Sequence, residues 1–210
     1  MSNKDLKSRS FSTGEGTGGM RLLITGSNGL LGQHLIKMLI ETTSHQIIAT
    51  GRGENRLPFT SSNRYNYFSL DITDGIAVND FILSHQPDVI IHAAAVSDYR
   101  PKSEHPTKIK SNSDEIDLGK WVPTKKLIKA IRDEYHFNGR LVQFKLETVE
   151  NDEQLIAIAK KSMTTNQSDL CIANRMNAME DVIAVSKNKT QKMKRKDLYS
   201  FLYEWIKNGQ

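Results

Sequence analysis

The sequence is poor in cysteine and has no long apolar run. Cys171 is the only cysteine among the 210 residues, which excludes an internal disulfide and a cysteine-rich metal cluster and fits a reducing cytoplasm. No apolar stretch approaches the roughly 20 residues that cross a bilayer, so we expect a soluble cytoplasmic protein without a membrane partner. The apolar flanks of Cys171 indicate a buried strand in which the thiol is a small core side chain, with a nucleophilic role as the alternative.

Motifs for protein-bound metals and for nucleic-acid binding are also missing. The six histidines show no paired helical spacing, so no metal ligands are predicted, and His92 is interpreted as packing or as making a structural hydrogen bond. The net charge is a modest +5, although six of the ten residues from Lys187 to Lys196 are basic. No aromatic residue lies within that run to stack on bases, so we interpret it as a solvated turn and expect no nucleic-acid partner.

Length and composition indicate one globular domain. Hydrophobic residues at 38% and charged residues at 25% are ordinary for such a domain, and 210 residues are short for two. Residues 1–19 are rich in Ser, Gly and Lys and have no apolar stretch of the kind found in secretory signals, so a disordered tail is expected there. The predicted domain is residues 20–210.

Apolar strands alternate with amphipathic helices along this domain. This alternation predicts an α/β fold with a doubly wound, mainly parallel, Rossmann-like sheet covered by helices on both faces, in three layers. The predicted elements after the first three strands include a helix near Val78 to Ile82, a strand over residues 88–93, a helix from Lys125 to about Tyr135, a strand over 141–146, a helix over 152–163, strands over 169–173 and 181–185, and a final helix containing Leu198 to Ile206. Between Val96 and Gly119 the pattern lapses into a polar, proline-containing stretch, which predicts a lid.

A glycine-rich turn follows the first strand and opens the first helix. The turn reads Gly26-Ser27-Asn28-Gly29-Leu30-Leu31-Gly32. Backbone amides at a helix start are unpaired and lie at the positive end of the helix dipole, and glycine lets a diphosphate approach them. The position between strand and helix therefore predicts a nucleotide-binding turn; a tight turn without a ligand is the alternative.

Up to residue 95 the chain resembles the extended short-chain dehydrogenase/reductase family, in particular dTDP-4-dehydrorhamnose reductases. The segments that carry this resemblance are Leu23 to Gly32, Gly51-Arg52, Leu70 to Asp74 and Pro87 to Ala95. The resemblance implies that these segments hold, in turn, the pyrophosphate, the ribose with its 2′-phosphate, the adenine and the nicotinamide side. The implied NADP(H)-binding residues are Gly26, Asn28, Gly29, Leu30, Gly32, Arg52, Asp71, Ala93, Ala94 and Ala95.

The reductase family needs a catalytic tyrosine followed four positions later by lysine, because the lysine lowers the pKa of the phenol for proton transfer. Tyr99, Tyr135 and Tyr199 lack a lysine at that spacing, and Tyr203, which has Lys207 four positions later, lies in the predicted final helix. No segment resembling the family's C-terminal substrate region is recognised. These observations disfavour sugar reduction.

From Ala93 to about Asn174 the chain resembles phosphopantothenoylcysteine synthetase, a ligase of coenzyme A biosynthesis. The matching segments are Ala93 to Pro101, Lys108 to Ser111, Val122 to Leu127, Val142 to Thr148, Ala159 to Lys161 and Asp169 to Asn174. They are ordered and correctly spaced over roughly eighty residues, so they are more specific than the glycine turn.

The ligase resemblance implies that CTP or ATP activates the carboxylate of 4′-phosphopantothenate and that cysteine then attacks the acyl-nucleotide. Asp98 and Phe144 would contact the nucleotide base region, Lys108 would act as the catalytic residue by stabilising the acyl-phosphate charge, and Lys161 would bind phosphates. Read without the family, Lys108 is merely a loop lysine. A Mg²⁺ ion bridging phosphate oxygens is also implied, as is a homodimer, because the family's sites are completed across a dimer interface.

The first half departs from the ligase family. That family's Gly-Gly-Thr turn and its Asn-His-Ser-Ser-Gly-Lys stretch are missing here. The chain thus combines a reductase-like half, residues 20–95, with a ligase-like half, residues 96–210. Three functions stay open: a phosphopantothenate–cysteine ligase using CTP or ATP, an NADP(H)-binding reductase-like protein, and an inert nucleotide-binding module.

Overall fold

Strands and helices alternate through the part of the chain that the computed structural model describes, residues 19–103 and 120–208. In chain order the elements are β1 (Arg21–Thr25), α1 (Leu30–Thr42), β2 (Gln46–Gly51), β3 (Tyr65–Ser69), α2 (Gly75–His85), β4 (Val89–His92), β5 (Tyr99–Pro101), β6 (Trp121–Pro123), α3 (Leu127–Asp133), β7 (Arg140–Glu147), α4 (Asp152–Asn166), β8 (Leu170–Arg175), β9 (Asp181–Ser186), β10 (Thr190–Lys194) and α5 (Leu198–Asn208). No helix within these two ranges is both long enough and apolar enough to cross a membrane. The expected tail lies almost wholly outside the described residues.

One large sheet has the strand order β10-β9-β8-β7-β4-β1-β2-β3. The six strands from β8 to β3 in that order run parallel, whereas β9 is antiparallel to β8 and β10 is antiparallel to β9. The chain moves outward from β1 to β3 and then returns to place β4 on the other side of β1. The carboxyl ends of β1 and β4 therefore form the topological switch point, where open α/β sheets bind ligands.

Helices cover both faces of this sheet. Buried side chains of α1 and α5 pack with Leu22 and Ile24 of β1 on one face. On the other face, α2 and α3 pack with Leu23 and Ile90, and α4 packs over β8 and β9. The predicted mainly parallel, three-layer Rossmann-like fold is thus confirmed.

The basic run before the last helix is not the solvated turn that the sequence predicts. Residues 187–189 form a turn, but Thr190–Lys194 pairs with β9 as the edge strand β10. The exposed Lys192 lies 2.7 Å from Asp152, and the exposed Lys194 lies 2.6 Å from Asp181. Lysines at alternate positions of an edge strand discourage pairing with another chain. Because of these lysines, the segment also lacks the alternation of apolar and polar residues that predicts a strand.

Two short strands interrupt the long polar segment that follows β4. Tyr99–Pro101 pairs antiparallel with Trp121–Pro123, with Pro101 opposite Trp121, and forms a two-stranded ribbon outside the main sheet. The ribbon is largely exposed, and Tyr99 and Trp121 are about half accessible to solvent, at 58% and 50%. Most of the predicted lid lies outside the described residues, so the lid itself stays a prediction.

Candidate functional site

The glycine turn lies at the switch point and touches the loop that follows β4. Gly26 has φ +71°, and a Cβ there would lie 2.6 Å from Ala94 Cα and 2.9 Å from the carbonyl carbon of Ala93. Gly32 is equally confined, since its Cβ would lie 2.4 Å from the Gly26 carbonyl oxygen. The missing side chains thus let three backbone segments meet, which is what close approach of helix and strand requires.

The amides at the start of α1 are partly used within the protein. Gly29 N–H donates to the Gly26 carbonyl at 2.9 Å, so this amide is paired and not free as the sequence suggests. No acceptor for the amides of Leu30, Leu31 and Gly32 is present in the described part of the chain, and no side chain caps the helix. Three donors therefore remain for an anion at the positive end of α1.

Asn28 ties the glycine turn to the loop after β2. Its Nδ2 donates to the carbonyls of Arg52 at 3.1 Å and Glu54 at 2.9 Å and to the Tyr67 hydroxyl at 3.0 Å, while its Oδ1 accepts from Arg56 N–H at 3.0 Å. The Asn28 side chain is therefore fully occupied within the protein. Its position supports a role in placing the loop rather than in touching a ligand directly.

Arg52 and Asp71 flank this loop. The Arg52 side chain is exposed and has no hydrogen-bonded or ion-paired partner among the described residues. Asp71 Oδ1 accepts from the Thr73 amide and hydroxyl, and these bonds, with a smaller contribution from nearby Arg52, lower the pKa of the Asp71 carboxyl. A free guanidinium beside the turn can bind an anion.

His92 closes β4 next to the Ala93–Ala95 segment. Its Nδ1 lies 2.9 Å from Thr25 Oγ1, so the predicted structural hydrogen bond is present. Burial lowers the pKa of this imidazole to about 4, which keeps the ring neutral near pH 7. By the reductase resemblance, the segment after His92 is expected to bind the nicotinamide side of NADP(H). By the ligase resemblance, it begins the ligase-like motif.

The described ligase-like residues lie on separate segments of the fold, and no contact joins them. Asp98 forms an ion pair with Lys126, and this contact lowers the pKa of the Asp98 carboxyl. Phe144 lies on β7 and packs toward the α1 and α5 face. Lys161 is exposed on α4. Lys108 lies outside the described residues.

Lys145 is a nearby cation that the sequence argument did not single out. It lies close enough to Asp98 to lower the pKa of that carboxyl further, and it forms a 2.8 Å ion pair with Glu147. Gln143, two residues earlier on β7, is buried and its side-chain amide nitrogen has no hydrogen-bond partner among the described residues. The only signal for either residue was its place inside the segment Val142 to Thr148, because periodicity alone assigns both to a strand.

Cys171 lies on β8 with no solvent exposure. Burial raises the pKa of its thiol to about 12, so the thiolate is not accessible for nucleophilic attack near pH 7. The interpretation of Cys171 as a small core side chain is confirmed.

No group of three His, Cys, Asp or Glu residues that could hold a metal occurs within residues 19–103 and 120–208.

A family model for the C-terminal domain of DNA/pantothenate metabolism flavoproteins matches residues 12–205 of the chain. Among curated proteins, the coenzyme A biosynthesis bifunctional protein CoaBC of Thermococcus kodakarensis is 33% identical over 123 residues, which cover 57% of this chain and 30% of that protein. A dTDP-glucose 4,6-dehydratase of Escherichia coli is 31% identical over 84 residues, which cover 37% of this chain and 23% of that protein. The chain spans less than a third of the length of either relative.

Two solved structures share the fold over most of the chain. The DNA/pantothenate metabolism flavoprotein from Streptococcus pneumoniae superposes with a TM-score of 0.71 at 24% identity and covers 91% of this chain and 100% of that chain. A Cab2 mutant in complex with phosphopantothenate-cysteine superposes with a TM-score of 0.61 at 15% identity, covering 90% and 88%. At these identities the similarity concerns the fold.

Proposed function

The chain belongs to the family of the C-terminal domain of DNA/pantothenate metabolism flavoproteins, and on that premise we propose that it is a phosphopantothenate–cysteine ligase of coenzyme A biosynthesis. The family match over residues 12–205 carries this proposal. The Thermococcus relative, named for coenzyme A biosynthesis, and the Cab2 structure with phosphopantothenate-cysteine support the proposed substrate class. The glycine turn lies at the switch point, where folds of this kind bind nucleotides.

The proposed reaction has two steps. A carboxylate oxygen of 4′-phosphopantothenate attacks the α-phosphorus of CTP or ATP, and the bond from that phosphorus to its bridging oxygen breaks to release pyrophosphate. The cysteine amine then attacks the acyl carbon, loses a proton, and displaces the nucleoside monophosphate. Both steps concentrate negative charge on oxygen, so the site needs preorganised donors and cations.

The free amides of Leu30, Leu31 and Gly32 suit the triphosphate in this proposal. Asp98 and Phe144 would contact the base region, and Lys161 would bind phosphate from α4. Asp98 and Asp71 already bind Lys126 and Thr73. A Mg²⁺ ion would accompany the triphosphate and would neutralise charge on the leaving pyrophosphate.

Lys108 is the proposed catalytic cation. We expect Lys108→Ala to lower turnover at least a hundredfold, measured as pyrophosphate release, while the thermal midpoint stays that of the wild type. Lys110→Ala, on the same segment, is the matched control and should retain activity. Equal activity of Lys108→Ala and wild type would remove this lysine from the mechanism.

Calorimetric titration tests the nucleotide. Tight binding of CTP or ATP supports the ligase, whereas binding of NADPH alone contradicts it.

The dehydratase match and the free Arg52 favour an NADP-binding reductase-like protein as second candidate. In that case Arg52→Ala should weaken NADPH binding and leave NADH binding unchanged. Binding without turnover of either kind of substrate, seen as a raised thermal midpoint, would indicate an inert module.

Self-association is part of the proposal. Tyr99, Pro101, Trp121 and Pro123 lie on one exposed face of the ribbon, because opposed residues of an antiparallel pair share a face. A two-stranded ribbon is marginal by itself, so contact with a second copy would stabilise it. Sedimentation should give a dimer that Trp121→Ser weakens; a monomeric wild type would contradict this part.

A further inference from the structure

A row of polar side chains crosses the sheet at the switch point. Thr50, Thr25, His92 and Gln143 occupy matching register positions on β2, β1, β4 and β7, so their side chains leave the same face. Two residues earlier, the corresponding row is fully apolar and buried: Ile48, Leu23, Ile90 and Leu141. Polar groups thus replace the apolar core at the level where β1 and β4 end.

His92 is held in one orientation with one ring nitrogen unused. Thr25 Oγ1 accepts from the Ala94 amide at 3.4 Å and lies 2.9 Å from His92 Nδ1. The Thr25 hydroxyl has one proton and two lone pairs, so it can accept from the amide and also donate to Nδ1; in that arrangement the ring proton lies on Nε2. Nε2 has no hydrogen-bond partner among the described residues, and the side chain is only partly buried.

Gln143, the neighbour of His92 on β7, also holds an unused donor. Its Oε1 accepts from Asn166 Nδ2 at 2.7 Å and from Ser162 Oγ at 3.4 Å, which fixes the amide group. Its Nε2 is buried without a partner, although the residue is only 4% exposed. A buried donor without an acceptor is costly and rare in folded proteins, so this nitrogen is suited to an acceptor that the chain does not supply.

We propose that His92 Nε2 and Gln143 Nε2 are a pair of neutral donors that bind one anionic oxygen of the ligand. The two residues are register partners on neighbouring strands about 4.8 Å apart, so their side chains stand side by side on one face of the sheet. The inference rests on the proposed ligase function, in which that oxygen belongs either to the acyl group of 4′-phosphopantothenate or to the α-phosphate. Neutral donors fixed before the reaction stabilise developing charge there without a salt bridge to break.

Direct observation of the imidazole tests this in the unaltered protein. With ¹⁵N-labelled histidine, the Nε2 resonance of His92 should shift when 4′-phosphopantothenate or a non-hydrolysable CTP or ATP analogue is added. A shift with the first alone assigns the acyl oxygen, and a shift with the second alone assigns the α-phosphate. An unchanged resonance at saturating ligand would overturn the inference, and it needs no variant that could fail to fold.

Variants supply the functional readout. His92→Ala and Gln143→Leu should each lower kcat for pyrophosphate release at least tenfold, and His92→Gln, which keeps an N–H donor, should recover part of that loss. His45→Gln is the control and should leave kcat unchanged. His45 is a buried histidine, but it lies just before β2, at the amino ends of the parallel strands and away from the switch point. Unaltered kcat in the two donor variants overturns the inference alone, whereas a wild type that binds neither substrate nor nucleotide overturns the proposed function with it.

Discussion

Gly26 and Gly53 share a left-handed backbone, with φ +71° and +74°, but their surroundings differ. A Cβ at Gly26 meets the backbone of Ala94, while one at Gly53 meets nothing within 4 Å. We expect Gly26→Ala to cost about 3 kcal/mol, from backbone strain plus displacement of the β4 loop, and Gly53→Ala about 1 kcal/mol, from strain alone. Urea unfolding measures both, and equal losses would show that the Ala94 contact contributes nothing.

At this scale the sequence identified the glycines but not their partners. The strand–turn–helix order was enough to place Gly26 and Gly32, because only glycine tolerates that geometry. The contact with Ala94 lies 68 positions further along the chain, and the ion pair of Asp98 with Lys126 joins residues 28 apart. Such pairs depend on strand order, which apolar periodicity does not contain.

At the scale of elements, the loop after β2 is held mainly by the Asn28 side chain. Asn28→Ala removes four hydrogen bonds and should cost about 2 kcal/mol, with faster amide hydrogen exchange confined to residues 52–57. Tyr67→Phe is the matched control: it loses the bond from Asn28 and the 2.7 Å bond to the Gly53 carbonyl, but keeps the other three bonds of Asn28. The inference about the loop fails if exchange accelerates equally throughout the domain in Asn28→Ala.

The type of an element could be predicted where burial of one face imposes a regular spacing of apolar residues. The residues at which an element begins and ends could not be predicted in this way. The strand at 141–146 and the helix at 152–163 were recognised, yet β7 runs from Arg140 to Glu147 and α4 continues to Asn166. The helix expected from Lys125 spans only Leu127–Asp133, since its flanks serve the ribbon and the following turn. The strand β10 was missed because its alternation is lysine against partly buried Gln and Met, not apolar against polar.

For the whole molecule, histidines with lowered pKa values contribute to how stability responds to acid. The pKa of His92 is about 4 in the folded protein and about 6.5 when unfolded, so below pH 6.5 the unfolded chain binds the proton more readily. Stability should therefore fall between pH 6.5 and 4, by about 2 to 3 kcal/mol from this residue after allowing for its partial exposure. Burial also lowers the pKa values of His45 and His85, which act in the same direction.

Denaturant unfolding at a series of pH values checks this. His92→Gln should show a shallower decline than the wild type from pH 6.5 to 4. Carboxylates act in a separate window: ion pairs lower the pKa values of Asp98, Asp152 and Asp181, and their stabilising effect disappears only as the pH falls below about 3.8. Parallel curves for variant and wild type across the higher window would show that the pKa of His92 is the same in the folded and unfolded states.

The exposed ribbon also gives the protein an optical reporter. The chain has two tryptophans: Trp205 is 6% exposed on α5, 5.1 Å below the Arg140 guanidinium, whereas Trp121 is half exposed on the ribbon. Red-edge excitation and iodide quenching therefore act on Trp121 almost alone, while the emission of Trp205 stays as an internal reference. Any event that covers the ribbon, whether pairing of two copies or closure over a nucleotide, should shift the Trp121 emission to the blue and reduce its quenching by iodide. The Trp205 emission should stay unchanged.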